Sequence, residues 1–167
     1  ELTENDLRYR KFRLLGLRKV MQEHTYAERM SYILSKIRGS RTQSEKAAVA
    51  LFAVAGDSDA VGRLAAACRA QSHVDHKLYL LAPGGVTKEL APQISVYDNM
   101  DSLIADALRD KEGFAFFGLL HDKDHYGASY LTDLVLSRRY AAADGAGKGC
   151  HFRLQDGEPV LCQESQR

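Results

Sequence analysis

An unbroken apolar run from Ala47 to Ala55, with polar and breaker residues on either side, limits most strongly how this chain can fold. It carries Val49, Leu51, Phe52 and Val54, stops at Gly56-Asp57-Ser58-Asp59, and has the length of a strand. A strand that is apolar at every position is buried on both faces, which is the mark of a parallel sheet between helices. A second run, Lys77-Leu78-Tyr79-Leu80-Leu81-Ala82, ends at Pro83-Gly84-Gly85, and shorter strands read from Ile94 to Tyr97 and from Phe114 to Leu120. Helical patterns alternate with them: an Ala-rich one from Ala60 to Gln71, then Met100 to Asp110, then Ala128 to Tyr140. This alternation predicts an α/β fold, with a mostly parallel sheet covered by helices on both faces. Residues His151 to Cys162 alternate around Asp156-Gly157, a dipeptide suited to a type I′ turn, and predict a C-terminal β-hairpin.

Ahead of the strands, Leu7, Leu14, Leu15, Leu17, Val20 and Met21, then Met30, Ile33, Leu34 and Ile37, recur at helical spacing. Two helices broken near Glu23-His24-Thr25 fit, with Thr25 as N-cap and Glu28 completing a capping box. The plain reading of this pair is an amphipathic unit with Tyr26 and Met30 as core. The expected organisation is a helical extension over residues 1–38, a polar linker over 39–46 and an α/β domain over 47–167. The start without Met and the tail Gln163-Glu164-Ser165-Gln166-Arg167 raise the expectation of a piece of something longer.

With 23 basic and 22 acidic residues, the charge of +1 gives no electrostatic case for a nucleic-acid or polyanion binder. No apolar run approaches the roughly 20 residues of a membrane span, and the polar start is no signal peptide, so a soluble chain is expected. Cys68, Cys150 and Cys162 have no CxxC spacing, which argues against a zinc module and for reduced thiols, although Cys150 and Cys162 could face each other across the hairpin.

The stretch that carries chemistry is Phe114-Ala115-Phe116-Phe117-Gly118-Leu119-Leu120-His121-Asp122-Lys123-Asp124-His125-Tyr126-Gly127. An apolar strand runs straight into carboxylates and imidazoles, and ligands of open α/β sheets bind at the carboxyl ends of strands. Asp122 and Asp124, two apart in a turn, can converge on one hard divalent cation that leaves positions open for phosphate oxygens. His121 and His125 could add a transition-metal site, or serve as supporting donors or plain surface residues.

The run His121-Asp122-Lys123-Asp124-His125-Tyr126-Gly127, followed by Tyr130-Leu131-Thr132-Asp133-Leu134 and Ala143-Asp144-Gly145-Ala146-Gly147-Lys148, resembles family 2 bacterial glycosyltransferases of the GT-A type. The similarity covers roughly residues 47–161 and is strongest from Gly113 onward. The resemblance implies a Rossmann-like nucleotide-binding half that takes a nucleotide-sugar donor and passes the sugar to a glycan or polysaccharide acceptor. It implies Mn²⁺ or Mg²⁺ held by Asp124, with Asp122 helping through water or the donor ribose. Lys148 would approach the diphosphate or sugar, and Gly56 to Asp59 would lie near the nucleotide, so that Asp57 and Asp59 join the donor-binding candidates. The alternative for that turn is a plain strand-to-helix connection with Asp59 as the helix cap. His121 and Lys123 stand where the family has acidic residues, and Ala82-Pro83 lacks the acidic residue that reads the base in many relatives. Asp98 is the substitute candidate there.

A second resemblance lies in His24-Thr25-Tyr26-Ala27-Glu28-Arg29, which is similar to the terminal helices of GT-B-type glycosyltransferases related to spore-maturation proteins. Those domains often precede a GT-A domain, so other transferase domains of one longer chain are implied partners, in the cytoplasm or at the inner membrane face. The sequence offers no catalytic base and no acceptor site, which keeps a degenerate module for nucleotide binding or scaffolding as the alternative. A flavodoxin-like or receiver-type domain also places acids at strand ends, but Asp57, Asp59, Asp122 and Asp124 lack a phosphoacceptor arrangement.

Overall fold

The apolar run becomes the strand on which the sheet is built. The elements run α1 (Asp6–Glu23), α2 (Tyr26–Arg38), β1 (Val49–Val54), α3 (Ser58–Arg69), β2 (His76–Leu81), β3 (Ile94–Tyr97), α4 (Met100–Asp110), a 3₁₀ turn (Lys111–Gly113), β4 (Phe116–Leu120), α5 (Tyr130–Ser137), β5 (Cys150–Gln155) and β6 (Glu158–Gln163). The structure is a computed structural model that describes residues 6–39, 47–73, 75–84, 90–138, 141 and 143–163. The expected linker beyond Gly39 and the last residues of the expected helix to Tyr140 lie outside them.

β1 pairs in parallel on both sides, with β2 from Val49↔His76 to Val54↔Leu81 and with β4 from Val49↔Phe116 to Ala53↔Leu120. β3 joins the far side of β2, giving an all-parallel sheet in the order β3-β2-β1-β4. Because strand side chains alternate, Val49, Leu51 and Ala53 face one way with Leu78, Leu80, Ile94 and Leu120. Helix α3 seals that face with Ala60, Val61, Leu64, Ala65 and Cys68, and α5 adds Leu131. Ala50, Tyr79 and Leu81 face the other way, against Leu103 of α4. The chain steps outward from β1 to β3 and then returns past β1 to β4. Right-handed crossovers in opposite directions put their helices on opposite faces, as α3 and α4 are.

Helices lie on both faces, as the alternation predicts, but the second face is only half covered. Helix α4 lies over β2 and β3, and the other half of its face keeps Val54, Phe117 and Leu119 60%, 62% and 81% exposed. A row of stacked rings crosses this face in strand order, Phe117 to Phe52 at 6.3 Å, Phe52 to Tyr79 at 5.3 Å and Tyr79 to Tyr97 at 6.2 Å. Tyr79 is fully buried, and its phenol donates to Asp110 Oδ2 at 2.8 Å, so the polar tip is satisfied.

Thr25 caps α2 as expected, its Oγ1 accepting from Glu28 N–H at 3.3 Å, and Gly39 ends the helix at φ +67°. Tyr26 and Met30 are not core: they are 87% and 54% exposed, because α1 packs against α5 while this outer stripe of α2 stays uncovered among the described residues. The hairpin turns at Asp156 and Gly157, both at positive φ. Its register sets Cys150 opposite Gln163 and Cys162 opposite His151, so the two thiols point to opposite faces and do not meet. Among the described residues, no helix is long and apolar enough to cross a membrane.

Leu64 is 1% exposed at the centre of the α3–sheet contact. Leu64→Ala should cost about 2–5 kcal/mol, read as a lower urea midpoint at unchanged slope, whereas Leu119→Ala should stay within about 0.5 kcal/mol.

Candidate functional site

Strand order reverses between β1 and β4, and because the strands are parallel their carboxyl ends open at the same edge. The loops that leave them run into α3 and toward α5, which pack side by side on the same face of the sheet, and both loops lie at the carboxyl edge where open α/β sheets bind ligands. Residues 55–57 form one lip and residues 121–127 the other.

The acidic lip is a tight turn in which Asp124 N–H donates to His121 O at 3.2 Å and Lys123 N–H donates to His121 Nδ1 at 3.3 Å. Tyr126 pins it. Its phenol oxygen accepts from His121 N–H at 2.8 Å and donates to Asp124 Oδ2 at 3.4 Å, and its ring lies edge-on to Tyr130 at 5.0 Å. Burial pushes the Tyr126 hydroxyl above its ordinary range. Asp122 is held from the neighbouring helix: Arg63 on α3 donates through Nη2 to Asp122 Oδ2 at 2.9 Å and through Nε to Asp122 O at 3.2 Å. That hydrogen bond keeps the Asp122 carboxyl below the usual carboxylate range.

The far end of the loop is anchored by Gln71, a buried side chain just past α3. Its Nε2 donates to Gly127 O at 3.2 Å and its Oε1 accepts from Leu131 N–H at 3.1 Å, so one amide both closes the loop and serves the first turn of α5. Ser72 N–H donates to Ala128 O at 2.7 Å, and the hydroxyls of Ser72 and Thr132 share a 2.9 Å bond.

Asp133 of α5 is a second charged centre. Its carboxylate takes a forked pair from Arg18 of α1, Nε at 2.5 Å and Nη2 at 2.9 Å, and Lys148 Nζ at 2.5 Å. Burial raises this carboxyl, but the hydrogen bonds from Arg18 and Lys148 outweigh it, and the net position is below the ordinary value.

Asp122, Asp124 and Lys148 all line an open groove of about 1960 Å³ that runs from the acidic lip along the uncovered half of the sheet to α1 and α4. Lys148 faces Asp133 there. Asp57 lies on the opposite lip, where its Oδ1 accepts from Ala60 N–H at 2.6 Å and caps α3. The cap is therefore Asp57, not Asp59, which sits exposed in the first turn. Asp98 is exposed just beyond β3, three strands from β4, or about 14 Å at ordinary strand spacing. Asp57, Asp59 and Asp98 are not in the groove wall. Arg63, Gln71 and Arg18 carry no recognisable signal of their own in the sequence, and Asp133, though it stands in the run Tyr130 to Leu134 that carries the resemblance, has no role assigned there. Their roles come from pairings over long separations.

A Mg²⁺-like cation takes one or two carboxylates and completes its shell with phosphate oxygens and water, and Asp122 and Asp124 are the carboxylates of this loop that would be offered to one. Among the described residues, no three His, Cys, Asp or Glu side chains gather into an all-protein cage, and His121 and His125 are exposed. No protein-family model matches the chain, and no curated protein or solved structure is significantly similar to it.

A depressed carboxyl contributes stability above its unfolded pKa of about 3.9 and loses it as pH falls through the lower folded value. Asp133→Asn should therefore melt lower than the wild type at neutral pH, by about 1–3 kcal/mol. The gap should close as pH drops below about 4 in melts followed by circular dichroism.

Proposed function

We propose that this chain is the nucleotide-sugar-binding half of a metal-dependent glycosyltransferase of the GT-A type. The observation that carries the reading is the position of Asp122 and Asp124, in a tight turn at the carboxyl end of β4, beside β1, where strand order reverses. Mn²⁺ or Mg²⁺ bound there would neutralise the charge that builds on the diphosphate as its bond to the anomeric carbon breaks. Asp124 is the direct ligand in this reading, since its contact with Tyr126 is long, while Asp122 acts through water or the ribose. Tyr126 and Gln71 hold the turn at fixed height over the sheet, which keeps both carboxylates oriented toward the groove. Residues 56–59 and Asp98 are the donor-side neighbours, and Lys148 reaches the donor only by leaving Asp133. The acceptor is a glycan or polysaccharide, the setting the cytoplasm or inner membrane face, and the partners further transferase domains.

Specific observations favour a second reading, a degenerate module that binds nucleotide weakly or only scaffolds its neighbours. Asp122 is already ion-paired, Lys148 is already held, and Lys123 places a cation between the two carboxylates.

Calorimetric titration of UDP, GDP and CMP with and without Mn²⁺ separates the two. The transferase reading expects one nucleotide to bind only with metal, and Asp124→Ala to weaken it on the order of tenfold or more. Absence of binding by all three would overturn that reading in favour of the degenerate module.

A further inference from the structure

The Arg63–Asp122 contact ties the body of α3 to the loop that follows β4, and it sets a conflict of charge. Arg63 is on the helix that follows β1, Asp122 is on the loop that follows β4, and the fork between them uses both a carboxylate oxygen and a main-chain carbonyl. A guanidinium does not deprotonate at any relevant pH, so a divalent cation that draws on Asp122 beside Asp124, directly or through water, competes with a permanent positive charge for that carboxylate. The displaced group needs a new anion nearby. A planar fork of N–H donors fits a phosphate as well as a carboxylate, and phosphate arrives with the cation if the ligand is a nucleoside diphosphate.

The surroundings favour Arg63 for that role. The amino end of α3, otherwise a natural seat for phosphate, has Ala60 N–H already taken by Asp57 and carries Asp59 in its first turn, so two carboxylates repel an anion there. Lys148 is held by the deeper Asp133, whose side chain is 9% exposed. The Arg63 side chain is 51% exposed and its partner Asp122 only 19%, so the guanidinium can swing while the carboxylate stays in place.

We infer that Arg63 is a diphosphate-binding residue that couples metal to nucleotide, exchanging Asp122 for the phosphates when a cation takes the carboxylate. The inference rests on the transferase reading and deepens it. It makes metal and nucleotide mutually dependent: a cation alone must work against Arg63, a nucleotide alone finds Arg63 engaged, and the two together release both constraints.

Calorimetry with Mn²⁺ alone, and with UDP or GDP in the presence of Mn²⁺, tests this on the wild type, Arg63→Ala and Arg63→Lys. The expected result has two opposite signs. In Arg63→Ala, Mn²⁺ alone binds several-fold more tightly because Asp122 is freed, while the nucleotide with Mn²⁺ binds on the order of tenfold more weakly. Arg63→Lys keeps the charge and loses the fork, so its nucleotide affinity falls between, and it decides the matter if Arg63→Ala does not fold. Nucleotide affinity unchanged in the variants, or both affinities reduced together as a loosened loop would give, overturns the inference while leaving the transferase reading standing. A wild type that binds neither UDP nor GDP with Mn²⁺ overturns the inference, and one that binds none of UDP, GDP and CMP overturns the transferase reading with it.

Discussion

The double parallel pairing of β1 is the constraint on which the other features depend. With β2 on one side and β4 on the other, β1 has no free edge, and its side chains must be apolar on both faces. Parallel neighbours cannot be joined by tight turns, so each connection needs a crossover segment of its own. Placing β2 and β3 on one side and β4 on the other forces the chain to reverse direction across the sheet. The loops at the carboxyl ends of β1 and β4 thereby become neighbours at one edge of the sheet, and both lead to helices on the same face. The meeting of these two loops is thus a geometric consequence of placing one apolar strand between two others.

Around that edge, polar pairings do what the core cannot. Packing of Leu64, Leu78 and Leu80 fixes α3 on the sheet but says nothing about the height or orientation of the loop after β4. That loop is set by Tyr126 within it, by Gln71 at its far end and by Arg63 across from it. The Arg18–Asp133–Lys148 group works on a larger scale, since it ties the helical extension and the segment before the hairpin to the same short helix, α5. Each charge in that group has a partner, as groups removed from water require.

Much of the architecture could be read from the chain because parallel strands write themselves as short apolar runs bounded by breaker residues, here Gly56 and Pro83-Gly84, although Phe117 and Leu119 show that such a run does not guarantee burial on both faces. The position of the acidic turn was legible for the same reason: it begins where the run from Phe114 to Leu120 stops. What was not legible depends on neighbours far away in sequence. Arg63 and Asp122, or Arg18 and Asp133, meet only because of how crossovers dock. Helical periodicity grouped Tyr26 and Met30 on one stripe of α2 but could not say whether anything covers it. A shift of a single residue separates Cys150 facing Cys162 from the observed pairing of Cys162 with His151, and alternation alone does not choose between them. The cap of α3 is a similar near miss, since Asp57, Ser58 and Asp59 are all capping types and only the local backbone selects Asp57.

Whether a metal and a nucleotide bind at the reversal between β1 and β4 is read from paramagnetic broadening by Mn²⁺ of the amide signals of isotopically labelled protein in the presence of UDP or GDP. Strongest broadening is expected at residues 121–126, weaker broadening at residues 56–59, and little effect along α2. Broadening centred on the hairpin, on α1 and α2 or spread evenly over surface carboxylates would contradict binding there.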